Sequence, residues 1–244
     1  MTDAIRISMW SGPRNISTAM MRSFGSRPGC KAVDEPFYAY YLKKTGLDHP
    51  MREEVVASQS TDWQSVVREI TARLNSDTTM LYIKHMTHHI LPEIDLDWIS
   101  SHRNCFLIRN PKQVIASYSE KRSQISTDDI GIKRQLEIFE KVQEQSEAAP
   151  IVIDMEDILK NPEAMTKRLC EKLDLAWDSK MLSWPKGPRP EDGIWARHWY
   201  ESVENTTGFS PYTPKEITLA PEYMSLYEEQ LPYYDQLRAH KIQS

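Results

Sequence analysis

Five short apolar or β-branched runs recur along the chain, Ile5–Trp10, Cys30–Val33, Met80–Ile83, Cys105–Ile108 and Ile151–Met155, and amphipathic stretches separate them. Those stretches, Ser17–Phe24, Trp63–Leu74, Pro111–Lys121, Ile130–Glu147 and Pro162–Leu173, place apolar residues at helical spacing. Strands that alternate with helices cannot form hairpins. They build β-crossover-β units, so the pattern predicts an α/β three-layer sandwich with a central, mostly parallel sheet of about five strands. In such sheets ligands bind beyond the carboxyl ends of the strands, which directs attention to the residues following each run.

A chain of 244 residues suits one large domain spanning 1–244. Prolines become dense only from about residue 185, so a loop-rich, helical C-terminal part is expected there. The net charge of −5 argues against a broad nucleic-acid or anionic-membrane surface. Any bound anion must therefore be held by a local group of basic residues. No apolar run approaches a membrane span, and Met1–Ser8 lacks the pattern of a secretory signal; a cytoplasmic protein is expected. Cys30, Cys105 and Cys170 are far apart, with no CxxC pair, and read as reduced, mostly buried thiols.

After the first run comes Trp10-Ser11-Gly12-Pro13-Arg14-Asn15-Ile16-Ser17-Thr18. A turn between strand and helix gathers exposed amides and the positive helix end in one concavity, which suits an anion. Ser17 and Thr18 add hydroxyls, and Arg14 adds a planar charged fork. The same residues also suit an ordinary turn with a capping hydroxyl. The segment lacks the lysine of a Walker A loop, which counts against the alternative of a P-loop kinase or nucleotide hydrolase. After the fourth run, Asn110 and Pro111 are a helix cap and first helical residue. Ser117, two turns on, returns to the face of Asn110, where it can share an anion with Arg109; a plain strand, cap and helix is the other reading.

The segment Ile108–Tyr118 resembles the 3'-phosphate-binding segment of the sulfotransferases that use 3'-phosphoadenosine 5'-phosphosulfate (PAPS). Arg14–Thr18 resembles the 5'-phosphosulfate loop of that family, and Val152–Pro162, continuing to Leu173, resembles its later strand, acidic turn and helix. The three matches keep the family's order between residues 8 and 175. The resemblance implies a P-loop-containing nucleotide-binding fold and a metal-independent sulfotransferase acting on a hydroxyl or amine of a small acceptor. It implies that Arg14, Asn15, Ile16, Ser17 and Thr18 hold the 5'-phosphosulfate, and that Arg109 and Ser117 hold the 3'-phosphate at the other end of the nucleotide. Ile16 stands where many relatives have glycine. A nucleotide-binding protein without catalysis is a further alternative. The absent lysine fits sulfuryl transfer, because that group carries less negative charge than a phosphoryl group and has less need of a metal.

Transfer to a hydroxyl or amine needs a base. The third run leads into Lys84-His85-Met86-Thr87-His88-His89, similar to the family's Lys-x-His segment with the histidine displaced. Lys84 matches that lysine, and His85 and His88 are both candidate bases. The other candidate is Glu35, in Asp34-Glu35-Pro36-Phe37, similar to the carboxylate segment of carbohydrate sulfotransferases; walls of Phe37 and Tyr38 would raise its pKa. Near the C-terminus Trp195–Tyr200 and Asn205–Phe209 hold groups able to stack on adenine, and Arg197 is the cation of this segment able to reach a phosphate.

Overall fold

All five strands form in the computed structural model, which describes residues 4–120, 125–146 and 149–243. They are β1 (Ile5–Ser11), β2 (Cys30–Asp34), β3 (Met80–Met86), β4 (Arg103–Ile108) and β5 (Ile151–Asp154). The first four run past the apolar pattern into polar residues, because parallel pairing continues wherever both neighbours supply backbone partners. β5 stops one residue early, where the Asp154 carboxylate accepts the Glu156 amide at 2.8 Å and opens a helix.

The sheet order is β2-β3-β1-β4-β5, with every pair parallel. The helices are α1 (Ser17–Gly25), α2 (Tyr38–Thr45), α3 (Arg52–Ser58), α4 (Trp63–Thr71), α5 (Pro111–Ser119), α6 (Thr127–Ile130), α7 (Ile132–Gln145), α8 (Met155–Lys160), α9 (Pro162–Lys172), α10 (Ala196–Trp199), α11 (Glu201–Glu204) and α12 (Met224–Ala239). One face of the sheet packs α1, α2, α8 and α9 against Ile7, Met9, Tyr82 and Leu107. The other packs α4, α5, α7 and α12 against Trp10, Ile83, Phe106 and Ile108. This is the expected three-layer arrangement. Alternate strand residues serve opposite faces, a parity that decides the site below.

The helix predicted over Ile130–Glu147 is broken at Gly131, which adopts φ +71°. A Cβ there would lie 2.8 Å from Thr87 Oγ1 and 3.3 Å from the His88 amide nitrogen, so both the turn and the close packing need glycine. The ends placed at Lys121 and Glu147 lie outside the described residues. Beyond residue 185 the chain runs largely as loops and short helices. It is tied back by Arg22, almost fully buried, whose guanidinium donates to both oxygens of Asp192 at 2.5 and 2.7 Å. Among the described residues no helix is long and apolar enough to cross a membrane. All three cysteines are free thiols, Cys105 and Cys170 buried and Cys30 partly so.

Candidate active site

One cleft opens at the carboxyl ends of β1 to β4, where the chain's path reverses across β1 and the crossovers diverge. Its floor is the turn between β1 and α1. A Cβ on Gly12 would stand 2.6 Å from the Ile130 carbonyl oxygen, so only glycine lets the α6–α7 turn buttress this loop. Asn15 pins it from the other side: its amide donates to the Leu107 carbonyl at 3.2 Å, and its Oδ1 accepts the Ile16 amide at 2.9 Å. Behind it the buried Gln135 donates to the Trp10 and Leu107 carbonyls at 2.9 and 3.0 Å, satisfying acceptors at the paired ends of β1 and β4. Ile16 packs partly on the core and partly lines the cleft. No side chain caps α1, and Ile16, Ser17 and Thr18 line the cleft at its amino end.

Arg14 and Arg109 reach the same cleft and touch. Arg109 Nη1 donates to the Arg14 carbonyl, and Arg14 Nε donates to Ser117 Oγ at 3.1 Å. The two anion grips therefore stand side by side, not a nucleotide's length apart as inferred from the sequence. Helix α5 brings this about by carrying Ser117 back over the strand end, its first turn capped by Asn110, which accepts the Lys112 amide at 2.9 Å. Among the described residues neither guanidinium has a carboxylate partner. Burial, and after it the Arg14 charge, push Arg109 down to about 10, which still leaves it protonated at neutral pH. Two unneutralised cations beside an uncapped helix start form a ready anion site.

Deeper in the cleft lies a buried acid–base group. Lys84 Nζ donates to Asp34 Oδ1 at 2.9 Å, Glu35 Oε1 at 2.5 Å and the Tyr200 hydroxyl at 2.6 Å. Tyr200 donates in turn to Asp34 Oδ2 at 2.7 Å. Asp34 and Lys84 are register partners on neighbouring strands, which is why they meet. Burial raises Glu35 to about 7; Lys84 opposes this and Asp34 adds to it. The same two carboxylates hold the Lys84 ammonium protonated in spite of its burial. Among the described residues four non-glycine positions have positive φ, and two of them, Arg14 (53°) and Glu35 (43°), lie in the cleft.

The predicted site residues separate by parity and reach. Glu35, Lys84 and His88 line the cleft with Arg14, Asn15, Ile16, Ser17, Thr18, Arg109 and Ser117. His85 does not: β3 continues through Met86, so His85 points opposite to Lys84, stacks on Trp10 at 4.2 Å and is buried with Nε2 3.3 Å from Ser8 Oγ. It has no path to a substrate. Phe37 likewise packs against His85 and Trp98 on that face, so the wall around Glu35 comes from Tyr38, Tyr200 and His89 instead. Arg197 is exposed on α10 and does not line the cleft; its neighbours Trp199 and Tyr200 do, with Thr206 and Phe209. Among the described residues no three His, Cys, Asp or Glu side chains are grouped to hold a metal ion.

A family model described as a sulfotransferase domain matches residues 5–241. The chain belongs to the sulfotransferase family. The chain is 35% identical over 234 residues to "Branched-chain-amino-acid aminotransferase-like protein 1" of Arabidopsis thaliana and 33% identical to protein 2 of that name. The matches cover 96% of the chain but only 42% and 41% of those proteins, so it spans less than half their length. Among solved structures, the sulfotransferase domain of the Synechococcus PCC 7002 olefin synthase aligns over 94% of this chain and 95% of its own, with TM-score 0.52 and 15% identity. A sulfotransferase from Alicyclobacillus acidocaldarius aligns over 99% and 98%, with TM-score 0.52 and 12% identity. At that identity the likeness establishes the shared α/β fold.

Asp34, Gln135 and His89 join the site without having been assigned a role from the sequence, and Tyr200, placed in the sequence among groups able to stack on adenine, instead binds Asp34 and Lys84. Asp34 was legible: it shares parity with Ala32 on the face that Lys84 serves. The Tyr200 partnership was not, because it reaches Asp34 across 166 residues.

Proposed function

We propose that this sulfotransferase takes its sulfuryl group from PAPS, that Glu35 is the base, and that residues 4–243 act as one α/β unit. The observation that carries the reading is the contact of Arg14, Arg109 and Ser117 in one cleft that also contains Glu35. Both phosphates of such a donor hang from one ribose, on its 3' and 5' oxygens, so grips one side chain apart suit it. In this reading Ser17, Thr18 and the amides at the start of α1 hold the 5' side, while Arg109 and Ser117 hold the 3'-phosphate. Arg14 lies between them. The acceptor oxygen or nitrogen forms its bond to the donor sulfur as the bridging S–O bond breaks, and 3'-phosphoadenosine 5'-phosphate leaves with that electron pair. Glu35 takes the proton of the attacking hydroxyl or amine, and Arg14 meets the charge that grows on the departing phosphate. Lys84 holds the carboxylate in place through Oε1.

The acceptor is a small molecule in this reading, bounded by Tyr38, His49, His88, Trp199 and Phe209 on the Glu35 side of the cleft. Calorimetry with the desulfated product, 3'-phosphoadenosine 5'-phosphate, tests the donor assignment. Micromolar binding is expected; no heat at near-millimolar nucleotide would sink it. Transfer of radiolabelled sulfate from PAPS to a panel of phenols, alcohols and amines tests catalysis and narrows the acceptor.

A further inference from the structure

Glu35 uses its two carboxylate oxygens unequally. Oε1 accepts from Lys84 at 2.5 Å, whereas among the described residues no hydrogen bond reaches Oε2. The nitrogen facing Oε2 is His89 Nδ1, 3.8 Å away, and that nitrogen is itself buried without a hydrogen-bond partner. A buried ring nitrogen without a partner is costly unless it is drawn to the nearest acceptor, which here is Oε2. The distance in this conformer is too long for a hydrogen bond, and a small shift of either side chain in the free protein brings the two atoms within range.

The imidazole is held for this purpose. His89 stacks on Tyr38 at 4.4 Å with 6° between planes and on Tyr41 at 4.8 Å with 29°, and His88 meets it edge-on at 4.4 Å. Its short 3-10 turn, Thr87–His89, is anchored by Thr87 Oγ1, which donates to the Gly131 carbonyl at 2.8 Å. Only a short slide of the carboxylate or the turn is needed to close the gap. Burial first, then the neighbouring His88, His49 and Lys84, keep His89 well below the ordinary histidine range and hence neutral. A neutral ring donates from Nδ1 in one tautomer only, and the facing Oε2 selects that tautomer.

We propose that His89 is a positioning residue for Glu35: its Nδ1–H closes on Oε2, fixes the carboxylate plane together with Lys84 on Oε1, and leaves the second Oε2 lone pair for the acceptor proton. This rests on the reading of Glu35 as the base. The charged and titratable groups around Glu35 are Asp34 on β2, Lys84 on β3, Tyr200 after α10, Tyr38 on α2 and His89 itself. Among the described residues, His89 Nδ1 is the ring nitrogen that faces Oε2.

The test follows the Glu35 carboxyl directly and needs no acceptor. In the full chain labelled with carbon-13 at glutamate Cδ, carboxyl signals are titrated by NMR in the native protein, Glu35→Gln, His89→Phe and His89→Asn. The native protein is expected to show a carboxyl titrating near 7 that Glu35→Gln removes. His89→Phe keeps the aromatic stack without the donor, and should move that titration up by about one to two pH units, the scale of a hydrogen bond to a charged group. His89→Asn keeps an N–H near Nδ1 without the stack, and should restore most of the native value. An unmoved titration in His89→Phe, or an equal rise in both variants, would overturn the inference while leaving Glu35 as base. Should His89→Phe fail to fold, His89→Gln, whose amide sits nearer Nε2, takes its place and must show the same rise. If Glu35→Gln removes no near-neutral titration, the reading of Glu35 and the role of His89 fall together.

Discussion

Replacing Arg109 by alanine separates binding from folding in a way that few substitutions here do. In the free protein Arg109 is mostly buried, donates to the Arg14 carbonyl and stands beside a second guanidinium, with no carboxylate partner for either among the described residues. Its removal loses two hydrogen bonds, to the Arg14 carbonyl and to Gln113 Oε1 at 3.2 Å, about 1 kcal/mol each, and relieves a like-charge repulsion and a desolvated cation of similar total size. The stability of the free protein should therefore stay within about 1 kcal/mol of native. The bound state loses a charge-assisted contact to phosphate, about 1.5–3 kcal/mol, or roughly 10- to 150-fold in affinity. Arg14→Ala should cost a similar amount. Because Arg14 is joined to Arg109 through its carbonyl and to Ser117 through Nε, the double variant should depart from additivity by at least about 0.5 kcal/mol. Denaturant melts of the free proteins, with calorimetry using 3'-phosphoadenosine 5'-phosphate, measure both quantities. Unchanged affinity in both single variants would refute the shared anion site. Unfolding of the free Arg109→Ala protein would show that the residue is structural.

Three other outcomes are expected. Glu35→Gln should reduce sulfate transfer by about 10²–10⁴-fold with nucleotide affinity unchanged, and native activity should fall on the acid side through about 7, where the base gains its proton; full activity in this variant would remove Glu35 from the reaction. Lys84→Met should cost about 3–5 kcal/mol in a denaturant melt, because it strands Asp34 and Glu35 as buried, unpaired carboxylates, and Lys84→Met with Asp34→Asn should recover part of that loss; a cost under about 1 kcal/mol would refute this. His85 is buried neutral, its pKa held well below the unfolded value of 6.5 by burial first and His102 second. A lowered folded pKa gives stability that is present above the unfolded pKa and lost as pH falls below it. Stability should thus drop below about 6.5 with a slope of about 1.4 kcal/mol per pH unit for this group, and His85→Phe should lessen that slope by one proton. Glu35, raised to about 7, acts in the opposite sense: its contribution is full below 4.5 and is lost as pH rises through 7. An acid-side slope unchanged in His85→Phe would show that this histidine is not the group that titrates.

Much of the architecture was written in local patterns. The five apolar runs specify parallel strands because a buried strand must be apolar on both faces, and Gly12 to Thr18 and Arg109 to Ser117 specify strand–turn–helix junctions, which expose amides wherever they occur. Those features depend on neighbours in sequence, so sequence alone determined them. Folding decided everything that depends on where a strand ends and what crosses it. β3 runs three residues beyond its apolar part, and that extension sends His85 into the core and Lys84 into the cleft. The partners of Glu35 come from β3, the Thr87–His89 turn and the segment at Tyr200, each remote in the chain, and the contact of Arg14 with Ser117 spans 103 residues. Side-chain parity and long-range convergence are properties of the packed sheet, and no local run of residues encodes them.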